Sequence, residues 1–229
     1  MRSRTVVLVV AKAPVPGLAK TRLTPPASAD QAAEIAAASL LDTLDAIRTM
    51  GAKPVVAWTG EIAAARQAGE IAAALAGTTV LAQRGAAFGD RLAAAHADAG
   101  RAFPGSPVLQ IGMDTPQVTP DLLAASAEPL HRVAGPDAVV GPASDGGWWA
   151  LGLREPRFAE ALRNVPMSRP DTGDRTLRAL RASGLGVDPL AELSDVDTMV
   201  DAQLVAKSVP GSRFATAVEQ VAIEIGDRP

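Results

Sequence analysis

Three cations fall within eleven residues near the start of the chain: Lys12, Lys20 and Arg22, in the stretch Lys-Ala-Pro-Val-Pro-Gly-Leu-Ala-Lys-Thr-Arg. They follow directly on the apolar run Thr-Val-Val-Leu-Val-Val at 5–10. In open α/β sheets ligands bind beyond the carboxyl ends of the strands, so a loop that leaves a first buried strand already stands at the expected pocket. An arginine there can grip a phosphate through two parallel hydrogen bonds, while a lysine serves as a mobile point charge. Pro14, Pro16 and Gly17 would fix an irregular path and let backbone approach a ligand. The ending Gly-Leu-Ala-Lys-Thr is close to a P-loop, but that motif needs glycine immediately before the lysine, and Ala19 stands there. The loop is therefore read as a phosphate site of another kind.

Carboxylates complete the chemistry. Asp114, in Gly-Met-Asp-Thr-Pro, follows the apolar run 107–112 and would share the sheet edge with Lys12. A carboxylate facing phosphate-binding cations suits Mg²⁺ or Mn²⁺, which bind through one or two carboxylates plus substrate phosphates; the same residue also suits a turn before Pro116. Near the other end, Thr198 and Asp201 make a capping box. Asp197 precedes that cap and is either a second metal ligand or a plain loop carboxylate, with Asp195 the weaker candidate. In Asp145-Gly146-Gly147 the glycines would allow close approach to a ligand and Asp145 could orient a hydroxyl, although Asp-Gly is also ordinary hairpin chemistry. If Trp148 and Trp149 lie on a strand they face opposite ways, one into the core and one free to stack on a base or sugar. Arg84 follows a third apolar run and could contact phosphate or base, whereas Arg91 falls on a helix. His96 and His131 have no carboxylate or serine at suggestive spacing, which gives no case for a triad or a zinc site.

The elements that would hold these residues alternate short β-branched runs with Ala-rich stretches, the pattern of βαβ units around a mainly parallel sheet. Strands are expected at 5–10, 53–58, 78–82, 107–112, 137–141 and 148–153. Helices are expected from the Ser28/Gln31 capping box to Gly51, then at 62–75, 88–102, 120–131, 156–164 and 172–183, with a helical region from Thr198. A chain of 229 residues without repeats or linkers fits a single domain, 1–229. It has no cysteine, which excludes disulfides and thiol nucleophiles. A net charge of −3 gives no footprint for nucleic acid. No apolar run approaches the roughly 18 residues of a membrane span, so no membrane partner is expected and cytoplasmic residence is.

Taken together, the loop from Lys12, the Gly112 to Pro116 motif, the segment from Gly141 and the Asp195 to Asp201 segment resemble a bacterial family of GT-A-fold, glycosyltransferase-like proteins associated with radical-SAM or selenodomain neighbours. More distantly they resemble 2-phospho-L-lactate guanylyltransferase and the molybdenum-cofactor guanylyltransferases. The resemblance implies a three-layer nucleotide-diphospho-sugar transferase fold. It implies that the first loop (Lys12, Pro16, Gly17, Lys20, Arg22) holds phosphates and that Asp114 and Asp197 hold a divalent metal. It also sets the turn Asp145-Gly146-Gly147 beside the acceptor. Two departures stand out: prolines replace the glycine-rich opening of typical sugar nucleotidyltransferases, and Thr115-Pro116 follows Asp114 where many sugar transferases of this fold carry Asp-x-Asp. The leading expectation is a metal-dependent nucleotidyltransferase acting on a nucleoside triphosphate and a small phosphorylated acceptor, with Lys20, Arg22, Asp114 and Asp145 in the chemistry. Sugar transfer from a nucleoside diphosphate sugar is the alternative, followed by a nucleotide-binding protein without turnover.

Overall fold

Seven strands form one sheet in the order β3-β2-β1-β4-β6-β5-β7. The computed structural model describes residues 4–226. The strands are β1 (Val6–Lys12), β2 (Lys53–Thr59), β3 (Thr79–Ala82), β4 (Val108–Gly112), β5 (Ala138–Pro142), β6 (Trp148–Leu153) and β7 (Val187–Pro189). All neighbours pair in parallel except β6, which runs antiparallel to both β4 and β5. The sheet is thus mainly parallel, as expected, and the antiparallel β6 makes it mixed. Third in that order is β1, an inner strand whose apolar run is buried on both faces, as a strand covered by helices on either side must be.

Alternate β1 residues feed two cores, because successive side chains of a strand point to opposite faces. Val7, Val9 and Ala11 pack with Leu40, Leu44 and Ile47 of α1 (Ala29–Met50), with α2 (Ala68–Leu75) and with α4 (Pro120–Ala127). Val6 and Leu8 pack on the other face with Ala95 and Ala99 of α3 (Phe88–Ala102). Beside α3, the 3₁₀ segment Pro156–Asn164 and α5 (Thr172–Ala182) cover β5 and β6. A fourth cluster sets α6 (Met199–Ser208) and α7 (Arg213–Gly226) against Ile35 of α1 and Leu23 of the first loop.

The helix signals behave as their chemistry requires. The Ser28 hydroxyl accepts from the Gln31 N–H at 3.2 Å and the Gln31 side chain accepts from the Ser28 N–H at 2.7 Å. Gly51 ends α1 at φ 74°, a left-handed conformation that glycine adopts without a Cβ clash. Thr119 caps α4, with Pro120 at its first position.

Four boundaries differ from expectation. Over 62–75 only the second half is α-helical; Ile62–Ala64 is a separate 3₁₀ turn and Gln67 takes φ 52° between them. Over 120–131 the α-helix stops at Ala127 and continues as a 3₁₀ turn, Glu128–His131, since Pro129 has no N–H to donate back. Pro156–Asn164 is 3₁₀ throughout, and the short, exposed β7 carries too few apolar residues to announce itself. Among the described residues no helix is long and apolar enough to cross a membrane.

Candidate active site

The carboxyl ends of β1, β2 and β4 open into a cavity of about 740 Å³. Because β1 and β4 are adjacent and parallel, with Val10 opposite Gly112, the loops that leave them emerge side by side. Lys12 is the last residue of β1; its backbone N–H points at Met113 Sδ (3.2 Å) and its Nζ donates to the Leu18 carbonyl at 2.7 Å, which holds the loop in a curl. At Lys20 the backbone is left-handed, φ 46° and ψ 42°, a conformation a side-chain-bearing residue keeps only when its surroundings impose it. The imposition is visible: Lys20 Nζ lies 2.9 Å from Asp114 Oδ2 and donates to the Val196 carbonyl at 2.7 Å. Two residues on, Arg22 Nη1 donates to Asp197 Oδ2 at 2.7 Å. Leu23 then buries itself against the cluster that holds Val196 and Met199. Two polar ties and one apolar anchor therefore hold the cationic loop to the segment that precedes α6.

Four carboxylates line the cavity with these cations: Asp114, Asp145, Asp195 and Asp197. The Lys20 ammonium holds the Asp114 carboxyl below its ordinary range, more strongly than burial raises it. The Asp195 carboxyl is pushed up to about 7, first by burial and then by its hydrogen bond to, and repulsion from, Asp145. Among the described residues no group of three His, Cys, Asp or Glu side chains is arranged to hold a metal ion by itself.

The turn after β5 is fixed by its glycines. Asp145 Oδ1 accepts from the Gly147 N–H at 2.7 Å, the local bond that aspartate commonly makes in turns. Gly146 has φ 86°, and a Cβ there would lie 1.8 Å from the Pro170 carbonyl oxygen, so no other residue fits without displacing 170–173. The Gly173 N–H donates to the Gly146 carbonyl at 2.9 Å, which seats the turn on the start of α5. Beyond it the tryptophans divide as a strand demands: Trp149 is core, its Nε1 donating to the Ala191 carbonyl at 2.9 Å, and Trp148 lines the cavity with its Nε1 on Thr176 Oγ1 at 3.1 Å.

Of the residues singled out from sequence, Lys12, Lys20, Arg22, Asp114, Asp145, Gly147 and Asp197 line this one cavity. Pro16 and Gly17 belong to the loop without lining the cavity, and Gly146, at the centre of the turn, does not line it either. Arg84 is elsewhere: its Nη2 pairs with Asp98 Oδ1 of α3 at 2.6 Å. From the same region the cavity takes Gln83 and Arg91 instead. Gln83 Nε2 bonds the Ala11 and Ala57 carbonyls, each at 2.9 Å, and so ties the ends of β1 and β2 together. Gln110, in the middle of β4, reaches the cavity from below with Oε1 2.9 Å from His96 Nε2. His96 is fully buried, which pushes its pKa down to about 4. Asp195, the weaker candidate in sequence, lines the cavity beside Asp197, and Arg91 lies on a helix as expected yet also reaches the cavity; Gln110 had gone unnoticed, its one signal being a lone amide inside the apolar run of β4.

A family model described as "Uncharacterized protein conserved in bacteria (DUF2064)" matches residues 43–169, more than half of the chain, and the chain belongs to that family. No curated protein matches it. Among solved structures it is similar to a protein of Desulfovibrio desulfuricans G20 provisionally named a nucleotide-diphospho-sugar transferase, with a TM-score of 0.82 at 24% identity over 98% of this chain and 97% of that one. It is also similar to a cytidylyltransferase of Leptospira borgpetersenii serovar Hardjo-bovis (TM-score 0.56, 13% identity, 99% and 98% covered). A third likeness is to CMP:2-keto-3-deoxy-manno-octonic acid synthetase in complex with CTP (TM-score 0.54, 13% identity, 95% and 100% covered). The fold is the GT-A-like one of nucleotide-diphospho-sugar transferases and cytidylyltransferases.

Proposed function

We propose that this member of the family is a metal-dependent nucleotidyltransferase that moves a nucleotidyl group from a nucleoside triphosphate to a small phosphorylated acceptor. One observation carries the reading: Lys20 meets Asp114 and Arg22 meets Asp197 in a single cavity at the carboxyl edge of β1 and β4, so phosphate-binding cations and oxygen ligands are interleaved. A structural neighbour named a cytidylyltransferase and another named a CMP:2-keto-3-deoxy-manno-octonic acid synthetase, complexed with CTP, support it.

In this reading Lys12, Lys20 and Arg22 bind the β- and γ-phosphates. An oxygen of the acceptor's phosphate attacks the α-phosphorus; the new O–P bond forms as the bond to the β-phosphate oxygen breaks, and pyrophosphate leaves. A phosphate nucleophile is already anionic, so no side chain need remove a proton, and catalysis comes from alignment and from cations placed where charge collects on the leaving group. Asp114 and Asp197, both lining the cavity, would be the ligands of Mg²⁺ or Mn²⁺ in the mode where one or two carboxylates bind and substrate phosphates complete the shell. When bound, the ion would neutralise phosphate charge and fix the triphosphate's geometry. Trp148 offers an indole at the cavity wall, beside the Asp145 turn.

A second reading is favoured by the likeness to the Desulfovibrio protein: sugar transfer from a nucleoside diphosphate sugar, with Asp145 orienting an acceptor hydroxyl. The products separate the two. Pyrophosphate released from a triphosphate in step with a nucleotidylated acceptor supports the first; free nucleoside diphosphate released from a nucleotide sugar overturns it in favour of the second.

A further inference from the structure

The cavity has a second cationic side. Lys12, Lys20 and Arg22 sit on the loop tied to α1, α6 and α7, whereas Arg91, in the first turn of α3, and Arg169, just before α5, reach the same cavity from elements packed on the opposite face of the sheet. Phe88, Met167 and Trp148 lie with these two arginines along the cavity wall.

What distinguishes Arg91 and Arg169 is that the carboxylates nearest them in sequence are engaged by other cations. Asp90, adjacent to Arg91, accepts from the Ala87 N–H at 3.1 Å and pairs with Arg163 at 3.2 Å. Asp171, two residues after Arg169, pairs with Arg175 at 2.7 Å. Arg84 has Asp98. Among the described residues neither Arg91 nor Arg169 forms an ion pair, and Arg91 Nε is buried with no hydrogen-bond partner at all. A buried donor left unmet costs about 1–3 kcal/mol, more for a charged group, so the chain itself leaves the Arg91 guanidinium incompletely satisfied beside the cavity it lines. Its orientation is already set: the Arg91 guanidinium lies over the Phe88 ring, 5.5 Å from the centroid, which leaves the planar fork of donors less freedom to lose on binding.

We propose that Arg91 and Arg169 form an anion subsite for the acceptor, which is a small molecule bearing a phosphate or a carboxylate. The inference rests on the reading that the Lys20 side of the cavity takes the triphosphate. With both poles filled, the acceptor's anionic group is gripped on the α3 side and its reacting oxygen is directed toward the metal and phosphate side, so the charges that repel one another are each matched by their own cations.

Calorimetric titration tests this with inorganic phosphate and malonate as the two anion probes, on wild type, R91Q, R169Q, R91K and K20A. In the presence of Mg²⁺ and a saturating non-hydrolysable triphosphate, R91Q and R169Q should each weaken the preferred anion about tenfold or more while leaving triphosphate affinity within about twofold. K20A should do the reverse. Preference for phosphate shows that the subsite grips the acceptor's phosphate, and preference for malonate that it grips a carboxylate carried beside that phosphate. R91K retains the charge but not the fork, gives an intermediate loss, and serves where R91Q does not fold. If no triphosphate binds, the proposed function fails, and the same anion titration on nucleotide-free K20A still decides the subsite. Anion binding unchanged in both arginine variants, no anion binding by wild type, or loss of triphosphate affinity in R91Q equal to that in K20A would overturn the subsite.

Discussion

The ammonium of Lys20 lies 2.9 Å from the Asp114 carboxylate and, at 2.7 Å, also holds the Val196 carbonyl, so one side chain joins the loops after β1 and β4 to the segment before α6. Each of those loops is unremarkable alone. Their meeting point is what gives the cavity its chemistry.

The first prediction follows from that contact. Asp114→Asn and Lys20→Ala should each lower turnover by about 10²-fold or more, the scale on which removal of one preorganised charge acts in a transition state. Both variants should remain folded by circular dichroism, because the pair sits at the cavity edge and not in the apolar core. Wild-type turnover in either would contradict the assignment.

Arg22 and Asp197 make a more exposed pair, Arg22 being 73% exposed at its side chain, so the bridge itself contributes at most about 1 kcal/mol to stability. Arg22→Ala is therefore expected to leave the melting temperature nearly unchanged while weakening triphosphate binding. Arg84→Ala, which breaks only a bridge to Asp98 outside the cavity, should change neither. Measuring both variants side by side separates a ligand cation from a surface one.

At the hairpin, Gly146→Ala should destabilise by at least about 2 kcal/mol, since it adds a left-handed strain to a Cβ placed 1.8 Å from the Pro170 oxygen. Gly17→Ala is the control: φ is 75° there but the Cβ meets open space, so only the conformational cost of about 1 kcal/mol applies. Chemical denaturation of the two reads the difference.

Much of this was legible beforehand. The Ser28 capping box, Gly51, Thr119-Pro120 and the Asp145 turn are local signals whose chemistry is complete within a few residues, and each acts as read. The cation loop and Asp114 stand out because a strand followed by polar residues points to the sheet's carboxyl edge, and both line the cavity there. What was missed depends on tertiary placement. Sequence favoured Arg84 over the helical Arg91 as a ligand contact, but Asp98 of α3 captures the first, while the second lines the cavity. Asp195 and Asp197 alternate along one segment, and only the folded chain shows that Asp195 turns to Asp145 while Asp197 turns to Arg22. The division of 156–164 and 120–131 into 3₁₀ turns likewise reflects packing and a proline more than any apolar period.

His96 gives a pH prediction. Its folded pKa is about 4 against an ordinary 6.5, so on acidification the unfolded chain takes up the proton first. The stability this residue protects is fully present above about 6.5 and is lost as pH falls toward 4, at about 1.4 kcal/mol per pH unit, on the order of 3 kcal/mol in all. Asp195, raised in the folded state, bends the curve the opposite way over an overlapping range, so the quantity to follow is the difference between wild type and His96→Gln. That difference should shift against wild type as pH falls from 6.5 to 4; a difference independent of pH would mean that His96 is not held neutral.

The most direct test of the account is the melting temperature of wild type and Asp114→Asn across a panel of nucleoside triphosphates and nucleotide sugars, with and without Mg²⁺ or Mn²⁺, since a ligand that binds only the native state raises it. The account predicts a rise with one triphosphate that requires the metal and disappears in Asp114→Asn. A rise confined to nucleotide sugars, or no rise with any triphosphate, would contradict it.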